Sequence, residues 1–160
     1  MIAAYNLADM RYPRSDSRMD GFFDNVDRMN ALAERSPGFV WRLIDPPADL
    51  GEHRAAQVAG TTLTTLSVWE SIEALGDYVF NTIHVQMYLR RKEWFNSITR
   101  THFVMWDVDA PNWPSEDDAK VRMAHYQKHG PSDYAFTWER VDTSRWARFG
   151  ANSELPLQTA

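Results

Sequence analysis

The chain has 160 residues, a length that fits one domain around a single core. Its composition, 44% hydrophobic and 24% charged with no cysteine, is that of an ordinary globular protein and excludes a thiol nucleophile, a thiolate zinc site and an iron–sulfur cluster. The formal charge of −5 argues against duplex nucleic acid as a partner, because the one basic run, Arg90-Arg91-Lys92, is too short to neutralise a phosphate backbone.

No segment has the length of apolar residues that a membrane-spanning helix needs, and the apolar stretch from Met1 to Met10 has no basic residues ahead of it. A cytoplasmic protein with no membrane contact is therefore expected. Seven tryptophans and an aromatic content of 13% exceed what a core of this size needs, and surplus aromatics line pockets or interfaces.

In chain order, Ile2 to Ala8 is a short apolar strand that stops at a turn containing Arg11, Pro13 and Asp16. Ser17 and Asp20 have capping-box spacing, and Phe22, Phe23, Val26, Met29, Leu32 and Ala33 then recur at helical steps up to Pro37-Gly38. Phe39 to Ile44 reads as a strand with Phe39, Trp41 and Leu43 on one face and Val40, Arg42 and Ile44 on the other. Arg42 interrupts an otherwise apolar face. Asp45 to Gly60, with its prolines and glycines, has neither period and reads as a long surface loop able to cover a site.

Thr61 to Glu70 is rich in β-branched residues and sets Leu66 and Val68 against Leu63, Thr65, Ser67 and Trp69. Ser71 caps a helix running to about Phe80, with a break near Asn81-Thr82. The spacing predicts a further helix from His84 to Ile98, whose stripe of His84, Met87, Tyr88, Arg91, Trp94 and Phe95 holds most of the chemistry in the chain. His102 to Val108 is a strand with His102, Val104, Trp106 and Val108 on one face and Phe103 and Met105 on the other. Ser115 with Asp118 caps a last helix through about Lys128, His129-Gly130-Pro131 ends it, and a short strand follows around Ala135 to Trp138.

This order is that of an α+β, ferredoxin-like βαββαβ antiparallel sheet with an extra C-terminal helix and strand. A single domain over residues 1–140 is expected, followed by an irregular tail over 141–160. Strands apolar on both faces need cover on both, and a second copy laid sheet against sheet is the simplest cover, so a homodimer is expected.

His84 is the side chain best suited to act as a general base or a metal ligand, or else it bonds a helix end. Arg91 offers a planar fork of donors to an anionic or carbonyl oxygen, or pairs with an acid such as Glu93. Trp41, Trp69, Trp94 and Trp106 have the size to wall a flat aromatic pocket, with His102 and Arg42 beside them, and the hydroxyls of Tyr5, Tyr78 and Tyr88 are donors for a substrate oxygen. No Gly-x-Ser-x-Gly elbow and no phosphate-cradling glycine loop is present in the sequence, and His125 and His129 have helical metal-pair spacing without a glutamate between them.

Val68 to Leu75 (VWESIEAL), Tyr78, His84 and Trp94-Phe95 resemble the antibiotic-biosynthesis-monooxygenase-like superfamily of dimeric α/β barrels. Ala33 to Leu43 (AERSPGFVWRL), Ser67 to Ser71, Arg91 to Phe95 and His129-Gly130-Pro131 resemble more closely a bacterial family of unknown function assigned to that superfamily, over about residues 1 to 139. The superfamily includes cofactor-free monooxygenases acting on aromatic polyketides, heme-degrading oxygenases, muconolactone-isomerase-like enzymes and non-catalytic members. The resemblance implies a small enzyme of secondary metabolism with no cofactor, in which His84 takes a proton from an aromatic or polycyclic organic ligand while Arg91 and a tyrosine, Tyr88, steady the enolate. It also implies two alternatives: a heme protein with His84 as axial ligand, and a non-catalytic ligand-binding module.

Overall fold

The computed structural model describes residues 1–44, 62–96 and 101–149. The loop expected over 45–60 and the last part of the expected tail, 150–160, lie outside the described residues.

Four strands, β1 (Ile2–Asp9), β2 (Phe39–Arg42), β3 (Thr62–Trp69) and β4 (Phe103–Asp107), form one antiparallel sheet in the order β2-β3-β1-β4. That order follows from two right-handed βαβ units interleaved, with β1 between β3 and β4. Apolar β1 takes the centre: Ile2 pairs with Trp69 and Asp107, and Tyr5 pairs with Leu66 and Val104. The helices are α1 (Asp20–Arg35), α2 (Ile72–Asn81), α3 (His84–Leu89) and α4 (Glu116–His129).

The expected faces of β3 and β4 are the observed ones. Trp69 and Met105 join Ile2, Ala4, Ala33, Leu75 and Phe80 on the side of α1 and α2, whereas Leu66, Val68, Val104 and Trp106 join Ala3, Tyr5, Ala119 and Met123 on the other. β2 departs from simple alternation. Its pairing with β3 steps from Phe39↔Trp69 to Trp41↔Val68, so one extra residue on β2 turns Trp41 to the same side as Val40 and Val68. After that bulge Arg42 lies opposite Ser67 and reaches back to α1, donating from Nε to Glu34 Oε1 at 2.7 Å.

The second face of the sheet was expected to need another copy of the chain. Here α4 lies on it, burying Ala119 and Met123 against β1, β3 and β4. Two-sided apolarity is thus met within one chain and gives no reason of its own for a partner. Ser115 and Asp118 form the expected capping box, and Gly130 ends α4 at φ +77°. The expected strand around Ala135 to Trp138 is reduced to one bridge between Phe136 and Met105, after which Thr137 caps a short 3₁₀ turn.

Two further helix ends differ from their sequence reading. Asp16, rather than Ser17, accepts from the chain at the start of the 3₁₀ turn that leads into α1, because its carboxylate is also gripped twice by Arg18. The predicted helix from His84 to Ile98 stops at Leu89 and gives way to a 3₁₀ turn over Arg91–Glu93. Tertiary pairing overrides local propensity there: Arg11 N–H donates to Trp94 O at 2.8 Å and Asn96 N–H donates to Asp9 O at 2.9 Å, which draws the chain alongside the end of β1. Trp94 then packs with Met10 and Met19.

The beginning of the expected tail is part of the core. Trp146 is 1% exposed, stands against Phe80 and Trp138, and donates from Nε1 to Asp77 Oδ1 at 2.7 Å. Gly76 makes the space: a Cβ there would lie 2.2 Å from Trp146 Cζ2. Gly38 is fitted in a similar way, at φ +79° with a hypothetical Cβ 2.5 Å from Ala74 Cβ. The AERSPGFVWRL and VWESIEAL segments therefore meet at Gly38 and Ala74.

Candidate functional site

On the α1/α2 side of the sheet a run of rings leads from β2 to α3. Phe39 meets Trp69 edge to face at 5.3 Å, Trp69 stacks on Tyr78 at 5.1 Å, and Tyr78 lies 4.9 Å from the His84 ring. Strand alternation sets Trp69 inward, and α2 carries Tyr78 over it two turns after the Ser71 cap, whose side chain accepts from Ala74 N–H. The Trp69 indole N–H is satisfied by Ser67 Oγ at 3.0 Å, and the Tyr78 hydroxyl by Met29 O of α1 at 3.3 Å. Burial pushes the Tyr78 phenol up to about 12.

The break between α2 and α3 orients His84. Thr82 adopts an extended backbone, its hydroxyl donates to Tyr78 O at 2.6 Å, and that hydroxyl's Oγ1 accepts the His84 N–H at 3.1 Å. The imidazole turns back onto the last turn of α2, where Nδ1 lies 3.3 Å from Val79 O. A carbonyl oxygen only accepts, so in the neutral ring Nδ1 carries the hydrogen and Nε2 holds the lone pair. Burial lowers the His84 pKa, against the smaller opposing effect of the Val79 bond, so the neutral form is the resting one at pH 7. His84 is thus both the helix-end histidine and a base with its basic nitrogen left over.

The other residues of the expected site are distributed elsewhere. Arg91 folds onto its own turn, with its guanidinium 4.1 Å over the Tyr88 ring and Nη1 donating to Tyr88 O at 3.1 Å. Trp94 belongs to the Met10–Met19 cluster under Arg90, and Trp106 lies on the α4 side under Arg122. Trp41, turned by the bulge, stacks on Trp113 at 6.1 Å and 3° between planes, again on the α4 side. His102 precedes β4 and its carbonyl accepts from Leu7 N–H at 2.8 Å, and Arg42 pairs with Glu34. The four tryptophans therefore occupy three clusters, and of them only Trp69 joins His84's run of rings.

Sequence reasoning missed the floor of this site: Thr82 as the bridge between the helices and Phe39 as the first ring of the run. The ST-type turn at Asn81-Thr82 before His84 was the available signal. Among the described residues no group of three or more His, Asp or Glu is placed to hold a metal ion, and no helix is long and apolar enough to cross a membrane. For heme, His84 has the carbonyl-oriented imidazole of an axial ligand, but Trp41, Trp69, Trp94 and Trp106 lie in separate clusters and not around one porphyrin-sized space.

The fold and this arrangement define an α+β domain with a βαββαβ antiparallel sheet and a helix added on its second face. The chain belongs to the family described as Domain of unknown function (DUF3291), whose model matches residues 1–149. No curated protein matches it. Among solved structures it is similar to SnoaB, a cofactor-independent oxygenase from Streptomyces nogalater, at 13% identity and TM-score 0.46, covering 69% of this chain and 97% of that one. It is also similar to the NE2512 protein of unknown function from Nitrosomonas europaea, at 11% identity and TM-score 0.46, covering 71% and 94%. Likenesses this distant bear on neither ligand nor chemistry, since one fold hosts many activities.

Proposed function

We propose that this chain is a small-molecule enzyme of the antibiotic-biosynthesis-monooxygenase-like superfamily, working without a cofactor as a homodimer in the cytoplasm on an aromatic or polyketide-type intermediate. The observation that carries the reading is the His84 imidazole: half-buried, neutral, with Nδ1–H spent on Val79 O and Nε2 left as the basic nitrogen. Its aromatic neighbour Tyr78 suits a flat substrate.

In this reading Nε2 removes a proton from a carbon made acidic by an adjacent carbonyl. The imidazolium so formed is held by the Val79 carbonyl, and Arg91 serves as the cation for the enolate oxygen only once its guanidinium leaves Tyr88 O, where it rests. The carbanion then either recovers the proton at another carbon, an isomerisation, or forms a C–O bond to dioxygen, and the peroxide takes the imidazolium proton and loses water to leave a new carbonyl, an oxygenation. For the homodimer, exposed Trp113, Val121 and Tyr134, before, on and after α4, are the surface available to a second copy.

Oxygen uptake with an anthrone as substrate tests the assignment. A positioned general base contributes about 10²–10⁴-fold, so His84→Ala loses turnover by that order while its circular dichroism stays that of the parent. Parental turnover by a folded His84→Ala removes His84 from the scheme.

A further inference from the structure

The end of α4 carries a pair of histidines that the reading above does not use. His125 and His129 stand four residues apart in its last turns, a spacing that puts two side chains on one helix face. The structure brings the rings themselves together, with their centres 4.8 Å apart and 41° between the planes. Two imidazoles that share one metal ion, each nitrogen about 2.0–2.1 Å from it and the two at a right or tetrahedral angle, have their centres about 4.5–5 Å apart. The observed pair falls in that range.

Nitrogens are available on both rings. His129 is exposed, and among the described residues neither ring is ion-paired with a carboxylate. His125 is half-buried against the Tyr134 ring, at 4.9 Å and 70°, and its Nε2 lies 3.4 Å from Ser132 Oγ. The turn after Gly130 fixes that hydroxyl, since Ser132 N–H donates to Ala135 O at 2.9 Å. With Ser132 Oγ accepting the Nε2 hydrogen, the His125 Nδ1 keeps its lone pair, and the ring has the outer hydrogen-bond partner that orients a metal-bound imidazole. Arg122, the cation three residues earlier on the helix, is committed to the Tyr134 ring, 4.2 Å from its centre, and to the Tyr134 carbonyl.

We infer that His125 and His129 form an exchangeable surface site for a divalent transition ion, copper(II) or nickel(II), held by two neighbouring nitrogens with water in its other positions. Imidazole nitrogens suit these ions, and a site without carboxylate oxygens does not suit magnesium or calcium. It is a two-ligand site: among the described residues no group of three or more His, Asp or Glu is placed around an ion. The unfolded chain does not hold the two rings at this spacing, so the ion clips the end of α4 and stabilises the fold. The site belongs to the α4 side of the sheet and does not depend on the assignment of His84.

The test is isothermal titration calorimetry of nickel(II) chloride, in neutral buffer, into the full chain and the His125→Ala, His129→Ala and His84→Ala variants. The parent takes up one nickel ion saturably. Removing either imidazole of the pair turns a tethered second contact into none and weakens binding by about 10²-fold, whereas His84→Ala leaves the affinity unchanged and excess magnesium does not displace the nickel. His129→Ala truncates an exposed ring and so keeps the fold; nickel raises the urea midpoint of the parent and not that of this variant. No saturable nickel binding by the parent, or parental affinity in His129→Ala, overturns the assignment. A loss of affinity in His84→Ala with none in His125→Ala or His129→Ala places the ion elsewhere and overturns it as well.

Discussion

Gly76→Ala should destabilise this protein, although the same change inside an exposed helix is ordinarily favourable by about 1 kcal/mol. The sign reverses because the Cβ would lie 2.2, 2.5 and 2.6 Å from Trp146 Cζ2, Cη2 and Cε2, and a rigid bicyclic ring cannot yield by that much in place. The indole must leave its slot against Phe80 and Trp138 and give up its bond to Asp77. Emptying a core position of a tryptophan costs about 3–5 kcal/mol, so after the helical gain of about 1 kcal/mol a net loss of about 2–4 kcal/mol is expected in urea unfolding followed by circular dichroism. Trp146→Ala provides the cross-check. In that background the clash is gone and Gly76→Ala should recover its ordinary stabilising sign, a strongly non-additive cycle. Gly76→Ala at or above parental stability in the parent background would refute the docking of the 138–146 segment into the core.

Two other outcomes follow from the geometry. Gly38→Ala should cost at least the about 1–2 kcal/mol of a left-handed backbone, since φ is +79° and the new Cβ meets Ala74 at 2.5 Å; equal midpoints for variant and parent in urea would contradict this. Stability should also fall as the pH drops below about 6.5: His84 has a lowered folded value, so the unfolded chain takes up the proton first, and the contribution present above the unfolded value is lost by up to about 1.4 kcal/mol per pH unit until the folded ring protonates too. His84→Gln should flatten that part of the profile, and an unchanged slope would show that the imidazole is not held neutral by burial.

Strand faces were legible because alternation is a local property: Val68 against Trp69 and Val104 against Met105 fall as their parity requires. Trp41 was not, because a bulge is decided by what the strand must meet, here the pairing of Phe39 with Trp69 and of Arg42 with Glu34. The His84–Ile98 periodicity is real, yet its second half is spent on backbone bonds to the end of β1, which no local window contains. That one difference scatters the expected site, carrying Trp94 to a third cluster and folding Arg91 onto Tyr88. His84 kept its place because the helix break that orients it, at Asn81-Thr82, is written in the residues beside it.

The proton map of a single ring tests the account most directly. Long-range ¹H–¹⁵N spectra of histidine-labelled protein at pH 7 should show His84 as the neutral tautomer, with Nδ1 protonated and Nε2 bearing the lone pair. A protonated Nε2, in either the other tautomer or the imidazolium, would leave no base at that position and contradict the proposed chemistry.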